Sequence, residues 1–257
     1  MEVHHHPKVE KKRFKEYFLE FIMIFLAVTM GFFAETIREN ITEHRRAQEF
    51  AESMLRDLQE DTVQLTSYRD YFDFAASATD TLQQIVANTE PANIPSGKLY
   101  WYGLFGGAHR YFVPNDQTFQ QMKSTGSLRY FTRKVASAVG RYDRFCRLIQ
   151  SIELMDGNIY AEVRKLRAQL FDFRYNDIAN TIFQTRLTDV SHSRRLDSFM
   201  RSNPPLLSNN RILFNQYIEL VRSRFLRRSM VGYADSTLKE ASSLISELKK
   251  EYHLKNE

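Results

Sequence analysis

The placement of glycine and proline constrains the fold of this chain more than any other sequence feature. The 257 residues include nine Gly and six Pro, none of them between Gly31 and Pro91. After Pro205 only Gly232 remains. A β-sandwich or a doubly wound α/β fold needs many more turn residues than this. The sequence therefore predicts an all-α protein built from a few long helices.

Composition narrows the class of protein without assigning a reaction. Hydrophobic residues make up 43% and charged residues 26%, which excludes a disordered chain and a polytopic membrane protein. The single cysteine, Cys146, excludes an intramolecular disulfide. The net charge of +5 arises from 36 basic residues interleaved with 31 acidic ones. So mild an excess argues against a nucleic-acid partner.

An apolar segment near the N-terminus is the strongest physical signal. The 14 uncharged residues of Phe21–Ala34 cover about 21 Å as a helix, less than the ~30 Å hydrocarbon core of a bilayer. Extended over residues 17–37, the segment adds only Glu20, Glu35 and Thr36 as strongly polar members, and its apolar side chains occupy all helix faces. No small-residue cleavage site follows it. We predict a transmembrane helix over residues 17–37; a cleaved signal sequence and a buried core helix are the alternatives.

The basic residues beside this segment predict its orientation. Residues 1–15 hold five Lys or Arg, and residues 36–50 hold three. The excess predicts a cytoplasmic tail over residues 1–16 and a periplasmic C-terminal domain, anchored in a bacterial inner membrane. The lipid bilayer is then a partner, and so short a tail would need a second membrane protein to relay a signal.

Glu20 is the ionisable residue at the edge of the predicted span. Ionisable groups in lipid seek partners, so Glu20 predicts a polar contact with a neighbouring span or a partner subunit. The alternative is a side chain that reaches the headgroups beside Lys12, Arg13 or Lys15.

Beyond the span, apolar residues recur at three- and four-residue steps from Ile37 to Phe72, opposite charged positions. This pattern predicts an amphipathic stalk over residues 38–90 that becomes the first helix of a bundle. Residues 91–126 are predicted as an aromatic-rich loop and a short helix, with short strands between 99 and 113 as an alternative. Residues 127–257 complete a bundle of three to four helices.

Within the bundle, turn residues delimit the predicted helices. Asp116 and Gly126 are placed to begin and end a short helix over residues 117–123. Ser127 is placed to start a second long helix, whose stripe from Leu128 to Phe173 has coiled-coil-like spacing. A break at 203–205 precedes a last helix over residues 208–252, with Gly232 as its candidate interruption.

Motifs for known chemistry are missing from the sequence. It contains no HExxH, CxxC, P-loop, GxSxG or GxGxxG motif, and Cys146 has no neighbouring His. We expect no enzyme, no cofactor and no metal site, including at the triplet His4, His5 and His6. Four basic residues form either a solvated helix face or an anion site: Arg222, Arg224, Arg227 and Arg228.

Aromatic residues concentrate in residues 100–131, where nine occur, including the one Trp. They either plug one end of the bundle or line a binding site. The candidate binding residues are Trp101, Tyr102, His109, Arg110 and Phe119.

One motif carries a resemblance. The run Thr118-Phe119-x-x-Met122-Lys123-Ser124-Thr125-Gly126-Ser127-Leu128 follows a basic N-terminus and an apolar segment headed by Glu20. This combination resembles an uncharacterised family of single-span membrane proteins from Bacteroidota, over residues 4–60 and 115–145. The resemblance implies an inner-membrane helical protein and no known activity. Its motif residues are Lys123, Ser124, Thr125, Gly126 and Leu128.

These features predict a non-enzymatic, single-pass membrane protein with a periplasmic helical domain. Its role would be assembly, scaffolding or sensing, through self-association or another membrane protein. The alternative is a periplasmic ligand-binding sensor with an aromatic pocket in residues 100–131, and an enzyme is the least favoured class.

Overall fold

The computed structural model describes residues 14–107, 109–183, 193–224 and 226–254, without the side chains of Leu226 and Arg227. These residues form α-helices joined by short loops and 3-10 turns, and they contain no β-strand. The all-α prediction is confirmed, while His4, His5 and His6 lie outside the described residues. The helices are α1 (Phe14–Asn88), α2 (Ser96–Gly106), α3 (Gln117–Thr125), α4 (Arg133–Leu170), α5 (Phe173–Phe183), α6 (Arg194–Arg201), α7 (Arg211–Ser223) and α8 (Leu226–Tyr252).

Helix α1 runs without interruption for 75 residues, about 110 Å at 1.5 Å per residue. Its first buried residue is Ala47, and the predicted stripe is buried from Ala51 through Leu58 and Leu65 to Phe72. Ile37 and Ile41, which begin the predicted stripe, are exposed. The helix ends where Pro91 and Pro95 follow, as the loop signals predicted.

Three long helices, α1, α4 and α8, pack side by side and form the body of the bundle. Its core consists of three clusters that follow one another along α1. The first surrounds Leu58 and Met122, the middle one surrounds Leu65, Tyr68 and Ile149, and the third surrounds α2. We call the third the distal cluster, because it lies farthest along α1 from the apolar N-terminal segment.

Helix α2 lies within residues 91–126, the segment that the sequence predicts as an aromatic-rich loop and a short helix. It is buried on most sides by α1, α5 and α6, and glycine makes this close approach feasible. A Cβ on Gly97 would lie 2.3 Å from the backbone oxygen of Phe199 and 2.4 Å from that of Ser202. The glycines of this segment therefore serve packing between helices.

Several helix ends differ from the predicted ones. Helix α4 begins after Thr132, whose side chain accepts a hydrogen bond from the Val135 amide, and Ser127 opens a 3-10 turn instead. The predicted last helix is divided at Arg224, whereas Gly232 lies inside α8. Gly126 ends α3 with a φ of +68°, in agreement with its predicted left-handed position.

Candidate functional site

The N-terminal part of α1 projects from the bundle as an apolar helix. No residue between positions 14 and 46 is buried, and large apolar side chains such as Phe21, Phe25 and Phe32 are more than half exposed. Within the described residues, α1 is the helix long and apolar enough to cross a membrane. Its hydroxyls satisfy themselves within the helix, since Thr29 and Thr36 donate to the carbonyls of Phe25 and Phe32. Glu20 lies exposed on the same segment.

A non-helical strap, residues 109–116, crosses the bundle between α1 and α4. Carboxylates on the two helices hold its backbone: the Phe112 amide donates to Glu153 at 2.9 Å and the Asn115 amide donates to Asp61 at 2.8 Å. Arg110 donates to the Ser67 hydroxyl at 2.8 Å. Because an extended segment has no internal backbone bonds, these side chains fix its position.

A buried ion pair joins the strap to the distal cluster. Arg224, whose side chain is fully buried, donates Nε–H to Asp156 Oδ1 at 2.7 Å and also contacts Oδ2. His109 Nδ1 lies 3.1 Å from Asp156 Oδ2, and Arg224 Nη1 donates to the Gly106 carbonyl at 2.8 Å. This cluster therefore ties α2, α4, α7 and the strap together. Its geometry is that of a structural tether.

A cavity of about 240 Å³ lies on the other side of the strap, between α1, α3 and α4. We call it the cleft. Its apolar walls come from Met54, Leu58, Phe119 and Val139, with Tyr142 and Cys146 beside them. Its volume is below the roughly 300–1,000 Å³ of sites for drug-sized ligands, so only a small molecule fits.

Charged side chains surround these apolar walls. The carboxylates belong to Asp57, Asp61, Asp116 and Asp143, and the basic groups belong to Lys123 and Arg147. Asp143 forms an ion pair with Arg147, and Asp116 accepts a hydrogen bond from the side-chain amide of Gln120 at 2.9 Å. Asp61 accepts from Asn115 and, at 2.6 Å, from the Tyr142 hydroxyl.

Asp57 differs from the other carboxylates of the cleft. Its Oδ2 atom is buried and has no hydrogen-bond donor among the described residues. Asp57 also affects Asp61. Burial raises the pKa of Asp61, and repulsion by the Asp57 charge raises it further. The cleft thus combines apolar walls with one buried carboxylate oxygen that lacks a donor in the described structure.

Burial also sets the protonation state of Cys146 in the cleft wall. It raises the pKa of the Cys146 thiol to about 12, so the sulfur stays protonated at neutral pH. The same effect raises the pKa of the Tyr142 hydroxyl. The described residues include no group of three or more His, Cys, Asp or Glu side chains placed to hold a metal ion.

The structure distributes the predicted site residues over three places. Trp101 is buried in the distal cluster with Tyr102 packed against it, His109 and Arg110 hold the strap, and Phe119 lines the cleft. Of the motif residues, Lys123 lines the cleft, Ser124 and Thr125 donate to the Gln121 carbonyl, and Leu128 packs against the first core cluster. Arg224 is buried, whereas Arg222 and Arg228 are exposed.

Three carboxylates that organise the strap were not among the predicted site residues. A signal for them exists in the sequence, since Asp61, Glu153 and Asp156 occupy apolar-stripe positions of their helices. Asp61 lies three residues after Leu58 and four before Leu65, both buried. A carboxylate at such a position must find donors inside the protein.

Comparisons with protein-family models, curated proteins and solved structures found no match to this chain. The resemblance to the Bacteroidota family stays a prediction.

Proposed function

We propose that the protein is a single-pass inner-membrane protein whose helical domain lies in the periplasm and acts without catalysis, in assembly, scaffolding or partner-mediated sensing. One observation carries the proposal: α1 leaves the bundle as an exposed apolar helix without a break. Lipid would cover residues 17–37, about 32 Å of helix, which matches the ~30 Å hydrocarbon core.

The orientation rests on the basic residues that flank the span. Five precede it and three follow within a comparable distance. The fold brings further basic groups, such as Arg129 beside Glu43, to the same end of the bundle. These do not reverse the inference, because residues far along a long translocated domain contribute little to insertion.

A topology experiment tests the orientation. Cys146 is buried, its thiol is protonated, and it is the one cysteine of the chain, so background labelling is low. We expect Val63→Cys, at a position 71% exposed, to react with a membrane-impermeant maleimide added to spheroplasts. The matched variant Val9→Cys, in the predicted tail, should react only after lysis. The opposite labelling pattern would overturn the periplasmic assignment.

The role in assembly is supported by Glu20 and by the continuity of α1. A carboxylate on a span favours contact with another span. Because α1 is continuous, a movement of the span would also move the part of α1 that packs in the bundle. Crosslinking in native membranes should give a specific oligomer or heteromer that Glu20→Gln weakens and Glu39→Gln, beyond the span, leaves intact. If the wild-type protein and both variants crosslink to nothing and remain monomers, the proposal is contradicted.

The cleft favours sensing of a small ligand as a second candidate function. It lies at the end of the aromatic-rich segment, beside Phe119, whereas Trp101 is enclosed by the distal cluster. A ligand there would contact α1 directly, the helix that continues into the proposed span.

A further inference from the structure

We propose that the cleft binds a small organic ammonium ion, with Asp57 as its counter-ion. This inference deepens the sensing version of the proposed function. It concerns binding alone, so it is tested independently of membrane topology.

The first support is the difference between Asp57 and the other charged groups of the cleft. Asp143 has Arg147, and Asp61 has three donors from Asn115 and Tyr142. Asp57 lines the cleft and is partly buried, and its Oδ2 atom has no donor within the described residues. A buried carboxylate oxygen is stabilised by a charge-assisted hydrogen bond, which an ammonium N–H supplies.

The second support is the chemistry of the walls. Met54, Leu58, Phe119 and Val139 present carbon and sulfur surfaces beside the carboxylate. Such surfaces suit the apolar body of an amine, and the Phe119 ring adds a face for contact with a cation or another ring. A bare metal ion would gain nothing from these walls.

The size of the cleft limits the ligand further. About 240 Å³ accommodates a body of one ring or a short aliphatic chain. Four carboxylates against two basic groups also give the lining an excess of negative charge, which disfavours anionic ligands.

Phenethylamine is a suitable probe, with phenethyl alcohol and hydrocinnamate as its neutral and anionic counterparts. Titration calorimetry on the full chain in lipid nanodiscs should show phenethylamine binding at least about tenfold more tightly than either. Asp57→Asn should lower the affinity for the amine by about tenfold or more, while its affinity for the alcohol stays the same. Lys123→Gln, which removes a positive charge from the rim, should tighten amine binding severalfold.

The matched control is Asp73→Asn, which removes an exposed carboxylate from the same helix outside the cleft. It should bind phenethylamine as the wild-type chain does. An unchanged melting temperature of Asp57→Asn confirms that the variant is folded.

Three results would overturn the inference. They are equal affinities for the amine and the alcohol, an Asp57→Asn variant that binds like the wild type, and no binding of the amine to the wild-type chain. None of them bears on whether α1 spans the membrane, which the maleimide experiment decides.

Discussion

Trp101 and Phe119 belong to one aromatic-rich segment, yet they lie in regions of opposite character. Trp101 is 3% exposed and packs at 5.6 Å, centroid to centroid, on Phe105 in the distal cluster. Phe119 is half-buried and lines the cleft. The distal cluster encloses Trp101, and the region around α3 contains a cavity.

The difference between the two regions follows from the residues between the aromatics. Glycines in α2 let neighbouring backbones and rings approach closely, as the Phe199 backbone does at Gly97 and the Phe171 ring does at Gly103. The α3 side has no glycine between Gly107 and Gly126, and charged side chains such as Asp116 and Lys123 line the cleft there. Aromatic density alone therefore does not distinguish a core from a site.

Replacing Trp101 tests this contrast most directly. Trp101→Ala should lower the free energy of unfolding by about 3–5 kcal/mol, because it opens a cavity among buried side chains. Phe119→Ala, its counterpart at the cleft, should cost about 1 kcal/mol, since that ring is partly exposed and already borders a cavity. Urea unfolding of both variants measures the difference. Equal losses would show that the two regions are packed alike.

Substitution in the buried ion pair between Arg224 and Asp156 should destabilise the protein almost as much as the loss of Trp101 does. Arg224→Ala leaves the buried Asp156 carboxylate without the guanidinium and removes one donor from the Gly106 carbonyl, and we expect the free energy of unfolding to fall by about 3–5 kcal/mol. Arg222→Ala, two residues earlier and exposed, should change stability by less than about 0.5 kcal/mol. If thermal unfolding shows no difference between the two variants, the pair does not hold α2 in place.

A smaller loss is expected where two backbones touch in the distal region. Gly97→Ala places a methyl group 2.3 Å from the Phe199 carbonyl oxygen, and α2 must move away from α6. We expect a cost near the upper end of about 1–3 kcal/mol. Gly140→Ala in α4 has open space around its Cβ and should stabilise the protein by up to about 1 kcal/mol. Changes of the same sign in both melting temperatures would refute the close approach.

The sequence predicts the parts of this fold that depend on local pattern. The missing breakers before Pro91 predict an uninterrupted α1, and Gly126 is correctly placed at a left-handed helix end. Both follow from local backbone preferences, the helix-breaking effect of proline and the tolerance of glycine for a positive φ.

The sequence does not predict the parts of the fold that depend on contacts between residues far apart in the chain. Arg224 lies in a run of basic residues that has the pattern of a solvated face, and its burial depends on Asp156, 68 positions away. The cleft likewise joins Asp57 to Lys123 and Asp143, which no periodicity relates. Helix positions follow from short-range spacing, whereas a site follows from which helices meet.

The smallest expected effect is the pH dependence of stability that Glu153 causes. Glu153 holds the strap, which lies between the distal cluster and the cleft. Burial raises the pKa of Glu153 above its ordinary value of 4.5, so the native state binds a proton there more tightly than the unfolded chain does. The resulting stabilisation is complete below that ordinary value and is lost as pH rises through the higher native pKa.

Glu153→Gln keeps an oxygen for the Phe112 amide and removes the titration. The free energy of unfolding should then fall less between about pH 4.5 and neutrality than in the wild-type chain. Glu162→Gln, exposed on the same helix, should retain the wild-type slope. Urea unfolding across this pH range measures both slopes. A slope that stays the same in Glu153→Gln would show that Glu153 does not cause the pH dependence, and it would leave Asp61, whose pKa burial also raises, as the titrating anchor of the strap.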